Sequence, residues 1–157
     1  MEAFFQLKGK GKMWALLFLS VSFFLALAIM DYAIIHGHIA AHSAEWQYPF
    51  WLYKYWIALG MVVVVFASAI AVALWSNGSS KRFATAAFAT VVLLFVGGFL
   101  DLFFFMFTAL RGEPYSFDYW SAQYKWFGSW SWPQQIAWTL LCLIGIFLIW
   151  KWALKGR

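Results

Sequence analysis

Four long apolar runs alternate with short polar segments along the chain. Each run holds the roughly 20 residues that a helix needs to cross a bilayer, and they extend over about 13–35, 55–75, 83–108 and 134–154. Hydrophobic residues make up 65% of the 157 positions and charged residues only 11%, far below the ~25% of soluble domains. The pattern predicts an all-α integral membrane protein, a four-helix bundle that forms a single domain over 1–157.

Basic residues lie mainly on one side of the predicted bundle. Eight of the eleven Lys and Arg residues precede the first run, join the second to the third, or follow the fourth. Such segments face the cytoplasm by the positive-inside rule, so we expect a multi-pass protein of the cell membrane with both termini cytoplasmic. The net charge of +5 then reflects topology and attraction to anionic lipid, and not nucleic-acid binding.

The second outer segment, about 109–133, is rich in aromatic residues. Within it Phe117, Trp120, Tyr124 and Phe127 recur at helical spacing, which predicts an amphipathic helix on the membrane surface or against a partner subunit. Because Trp and Tyr are preferred anchors of protein interfaces, we expect the aromatic outer loops to contact other membrane subunits.

Titratable residues cluster where the first run ends. All three histidines, His36, His38 and His42, follow Asp31 within eleven residues, and Glu45 comes next. On a helical wheel Asp31, His38, His42 and Glu45 share one side. Imidazoles bind copper, zinc and iron, and a nearby carboxylate orients or supplements them. The cluster is therefore a candidate metal or haem site. A proton or ligand role and a purely polar helix end are the alternatives.

Asp101 interrupts the third apolar run. An acid at membrane depth is costly and usually faces the bundle interior or water. It is a candidate partner for the histidine cluster or part of a proton path, and equally a hydrogen-bonded acid that holds the first and third helices together.

Several other kinds of chemistry lack their signatures in the sequence. It contains no glycine-rich phosphate loop, no serine elbow and no Cys-x-x-Cys pair, and Cys142 is its single cysteine. No catalytic residue is assigned. A small transporter or proton carrier with Asp101 as relay is disfavoured, because no span carries a run of polar residues that would line a path.

The residues that lead into the second predicted helix resemble those of a known protein family. Trp51-Leu52-Tyr53, followed by Ile57-Ala58-Leu59, comes after a His-bearing segment that begins near an acid. This succession, over about 30–107, resembles the C subunit of the copper membrane monooxygenases, the ammonia and methane oxidisers. His36 stands at about the position of a ligand in that family.

The ligand pattern of that family is only partly present. Its loop site is an Asp, a His four residues on and a His thirteen further, whereas Asp31 and His36 are five apart and Pro49 stands thirteen beyond His36. Asp101 matches a ligand of the third helix, but Phe105 stands where a His is expected. The resemblance implies copper as the metal, with haem or another transition metal as the alternative.

The sequence thus favours a membrane subunit of a multi-subunit, metal-dependent oxidoreductase. The predicted metal residues lie at or near the outer surface: Asp31, His36, His38, His42 and Asp101. The rival interpretation is a non-catalytic structural subunit that packs a catalytic partner through its aromatic loops.

Overall fold

The computed structural model describes residues 9–34, 48–111 and 132–155, and this part of the chain is helical throughout, without a strand. Its helices are α1 (Gly9–Ile34), α2 (Tyr48–Ser76), α3 (Lys81–Val96), α4 (Phe99–Leu110) and α5 (Trp132–Leu154). The all-helical prediction is therefore confirmed for the described ranges. The predicted amphipathic helix of the second outer segment lies outside them.

Three helices are long and apolar enough to cross a membrane: α1, the Ile57–Ser76 part of α2 and the Pro133–Leu154 part of α5. The third predicted span is not one continuous helix. It divides at Gly97-Gly98 into α3 and α4, whose axes differ by 47°. By length and composition, the described chain thus has three helices suited to spanning a membrane, or four if the bent pair is one span.

Neighbouring helices contact one another through aromatic residues. In the α1–α2 contact the rings of Phe23 and Phe66 stack 3.7 Å apart, and α3 packs antiparallel to α5 with Phe83 edge-on to Trp150. The bend carries α4 onto α1, where Tyr32 lies 5.9 Å from Phe104. The bundle therefore has two ends, and α1 and α3 both begin at the same one.

That end carries most of the described basic residues, and we call it the basic end. Lys10 and Lys12 lie in the first turn of α1, Lys81 and Arg82 begin α3, and Lys151 lies in the last turn of α5, just before Lys155. At the opposite end the described chain carries only Lys54 and Arg111 as basic residues. The one-sided charge distribution expected from the sequence is thus present in the fold.

A tight turn joins α2 to α3 at the basic end, as the run Ser76–Ser80 predicts. Gly78 adopts a φ of 77°, a left-handed conformation that residues with a Cβ rarely enter. Asn77 donates its side-chain amide to the carbonyl of Ala73 at 2.7 Å. Ser80 caps α3 by accepting the N–H of Phe83 at 3.2 Å. Together these bonds satisfy helix-end groups that would otherwise lack partners.

Candidate functional site

The break between α3 and α4 is the most unusual backbone feature of the described chain. Gly97 continues the helical conformation with a φ of −71°, and Gly98 then turns to a φ of 76°. Because the helix breaks here, the carbonyls of Val96 and Gly97 are not aligned with the backbone N–H groups that would bond them in a continuous helix. Such groups are tolerated at membrane depth only where protein or water satisfies them.

Helix α5 supplies the missing donors from three side chains. Trp138 donates its indole N–H to the carbonyl of Val96 at 2.8 Å. The carbonyl of Gly97 accepts the Thr139 hydroxyl at 2.6 Å and the Gln135 amide at 3.1 Å. Positions 135, 138 and 139 are spaced i, i+3 and i+4, so one face of α5 carries all three donors. Hydrogen bonds from α5 therefore stabilise the break between α3 and α4.

Asp101 completes this polar cluster from the first turn of α4. Its Oδ2 atom lies 3.3 Å from the position that a Cβ would take on Gly98, and the Gln135 amide nitrogen approaches the same position even more closely. Asp101 and Gln135 thus meet beside Gly98, and both are buried. A carboxylate in the first turn is favoured by the positive end of the helix dipole. We call Gly97, Gly98, Asp101, Gln135 and Thr139 the break cluster.

A second buried acid, Asp31, lies on the helix that packs against α4. It shares the buried face of α1 with Leu27 and Ala28. The next residue, Tyr32, contacts Phe104 of α4, and the guanidinium of Arg111 lies 5.2 Å from the centre of the Tyr32 ring. Asp31 therefore lies towards the same end of the bundle as α4, and neither acid is without a partner in the fold.

The predicted metal residues are only partly within the described chain. Asp31 and Asp101 are both buried there, on the neighbouring helices α1 and α4, whereas His36, His38 and His42 lie outside the described residues. Across the ranges that the structure describes, no three His, Cys, Asp or Glu side chains group so as to hold a metal ion. A copper site built on the two acids would require imidazoles from the segment after α1.

Gln135, Trp138 and Thr139 did not emerge from the sequence as candidate residues. Neutral polar residues near the start of an apolar run resemble the ordinary entry of a helix into the membrane. The available signal was their i, i+3, i+4 spacing together with the Gly97-Gly98 pair on another run. Nothing in the sequence alone brings positions 97 and 135 together.

Replacing Thr139 with valine tests whether α5 holds the break. Valine keeps the shape but removes the hydroxyl that Gly97 accepts at 2.6 Å, and we expect a loss of about 1–2 kcal/mol in the free energy of unfolding. The measurement is unfolding in mixed micelles titrated with sodium dodecyl sulfate and followed by circular dichroism. Thr108→Val is the control, because that hydroxyl bonds only within its own helix, to the carbonyl of Phe105. Equal losses in the two variants would contradict the role given to Thr139.

The donor set around these acids decides what they can bind. Carboxylate and amide oxygens suit protons and hard cations, whereas copper prefers imidazole. The oxygen donors of the described residues therefore suit a proton or a hard cation better than copper, which would need histidine as well. Comparison of the chain with known protein families, curated proteins and solved structures finds no match.

Proposed function

We propose that this chain is a membrane-embedded subunit of a metal-dependent, monooxygenase-like oxidoreductase. Its part is to hold or support a metal ion, copper as the first candidate, near the end of the bundle where α1 and α4 end. The observation that carries the proposal is the burial of two acids, Asp31 and Asp101, on two helices that pack together. Buried intramembrane acids are functional by default, because their desolvation is costly.

The order of residues along the chain supports a metal. The three histidines follow Asp31 by five, seven and eleven residues, so in sequence they come directly after the end of α1 that carries Asp31. Imidazole from His36, His38 or His42 would complete a donor set that carboxylates alone leave unsuited to copper. The bound metal would supply redox chemistry. The chain itself would orient the ligands, and its apolar surroundings would exclude water.

The same proposal includes four spans, with both termini in the cytoplasm. Helix α3 has 16 residues, about 24 Å at 1.5 Å per residue, too short for the ~30 Å hydrocarbon core. The 12 residues of α4 add about 18 Å, and a 47° bend keeps about two-thirds of that length along the axis of α3. The pair together is long enough to cross once. The basic end would then face the cytoplasm, and the acids the outer half.

Metal analysis of the native assembly tests the proposal. The complex is purified through a tag on this chain, and its copper is counted by inductively coupled plasma mass spectrometry and electron paramagnetic resonance. We expect Asp31→Asn and the double variant His38→Ala/His42→Ala each to lower the copper content at equal enzyme load by at least tenfold, the scale on which ligand-shell changes act. Ser20→Ala is the control on α1, since Ser20 bonds only the carbonyl of Leu16.

Copper that is unchanged in both ligand variants would contradict a metal role for this chain. In that case, proton uptake by vesicles carrying the purified chain separates the remaining functions. Uptake that Asp101→Asn abolishes would indicate a proton carrier built on the break, which an interrupted helix at a binding site favours. Assembly of the complex without uptake would indicate a structural subunit.

A further inference from the structure

A groove of about 420 Å³ lies between α2 and α3, next to the turn that joins them. Its volume falls within the ~300–1,000 Å³ of small-molecule sites. Two small residues, Ala71 and Ala84, help to line the groove, and the larger rings of Trp75 and Phe88 wall it. Lys81 also lines the groove and lies at the basic end of the bundle. The groove is thus apolar along the helices and cationic at its mouth.

The mouth of the groove coincides with the start of α3. The first N–H groups of a helix have no partner within it and attract anions, an effect that the helix dipole reinforces. Lys81 adds a full positive charge beside these donors.

We propose that this groove binds one anionic phospholipid. The acyl chain lies against Ala71, Ala84 and Phe88, and the phosphate binds at the start of α3 beside Lys81. Both helices carry the apolar composition of membrane spans, so lipid has direct access to the groove. A second copy of this chain is a poorer occupant, because both acids of the described ranges, Asp31 and Asp101, are buried and cannot pair with Lys81.

Native mass spectrometry of the purified chain, titrated with lipid, tests the proposal. The probes are dioleoyl phosphatidylglycerol and dioleoyl phosphatidylcholine, which share acyl chains and differ in net charge. We expect one phosphatidylglycerol to bind at least fivefold more tightly than phosphatidylcholine, and Lys81→Gln to remove that preference, since a juxtamembrane charge contributes about this factor. Thr85→Trp, an exposed residue of the groove wall, fills the groove and should weaken both lipids by at least tenfold.

Arg82→Gln is the charge-matched control. Its guanidinium lies 5.4 Å from the centre of the Trp152 ring on α5, and it does not line the groove, so the variant should keep the preference. Equal losses in Lys81→Gln and Arg82→Gln would overturn the proposal in favour of diffuse attraction. Binding of either lipid to Thr85→Trp as to the unaltered chain would overturn it as well. Competition by glycerol phosphate at the concentration of the lipid would identify a free-anion site instead.

Discussion

Replacing Gly98 with alanine is expected to destabilise the protein by about 3 kcal/mol. The φ of 76° at Gly98 costs a residue with a Cβ about 1–2 kcal/mol. The added methyl group would also overlap the side-chain amide of Gln135 and lie 3.3 Å from Asp101 Oδ2. Displacing Gln135 breaks its bond to the carbonyl of Gly97, a further loss of about 1–2 kcal/mol. Titration of the unfolding in mixed micelles measures the sum.

Gly78 provides the matched control for that substitution. Its φ of 77° is almost the same, but nothing lies within 4 Å of the position that a Cβ would take. Gly78→Ala should therefore cost only the backbone part, about 1–2 kcal/mol. In a chain that already carries Gln135→Ala, the further cost of Gly98→Ala should fall to the same value. Equal costs for Gly98→Ala and Gly78→Ala in the unaltered chain would show that Gln135 does not fill the space beside Gly98.

The positions of the helices follow from the length of the apolar runs. Apolar runs of about 20 residues favour helices in a membrane, because a helix satisfies nearly all of its backbone polar groups within the segment. The turn at Ser76–Ser80 could be predicted equally well, since its Asn, Gly and Ser residues favour a chain reversal by their own conformational preferences. Both features depend on neighbours in sequence only.

The break in the third run depends on residues about 40 positions away. Two glycines disfavour a helix by only about 1 kcal/mol each, and Leu and Phe on both sides of them continue the apolar pattern. What makes the bend stable is the set of donors on α5 that bonds the carbonyls of Val96 and Gly97. A pattern along one segment contains no information about such a partner.

The sequence likewise predicted only part of the candidate site. Asp31 and Asp101 are conspicuous in an apolar sequence, and the structure buries both. Gln135 and Thr139 are neutral, so their cost in a membrane is small and their presence near a helix start is ordinary. Their role became visible only through the carbonyl of Gly97 that both of them bond.

Replacing Trp150 with alanine is expected to cost about 3–5 kcal/mol, the usual range for a buried tryptophan. Trp150 is 3% exposed and lies edge-on to Phe83, with the ring centres 4.9 Å apart. Its indole N–H donates to the hydroxyl of Thr90 at 2.9 Å. In lipid the loss comes from packing and from this bond, because leaving the helix contact does not expose the ring to water. Unfolding in mixed micelles, followed by circular dichroism, measures it.

Two further substitutions separate these contributions. Trp152→Ala removes a ring of the same kind that is 46% exposed and contacts Arg82, so its cost should stay below about 1 kcal/mol. Trp150→Phe keeps most of the packing but loses the bond to Thr90, and should cost about 1–2 kcal/mol. In a chain that carries Thr90→Val the same change should cost less, since the indole then has no acceptor to lose. Equal losses for Trp150→Ala and Trp152→Ala would mean that the contact between α3 and α5 adds little to stability. The side chains of α5 that bond the carbonyls of Val96 and Gly97 would then not be held in place by that contact.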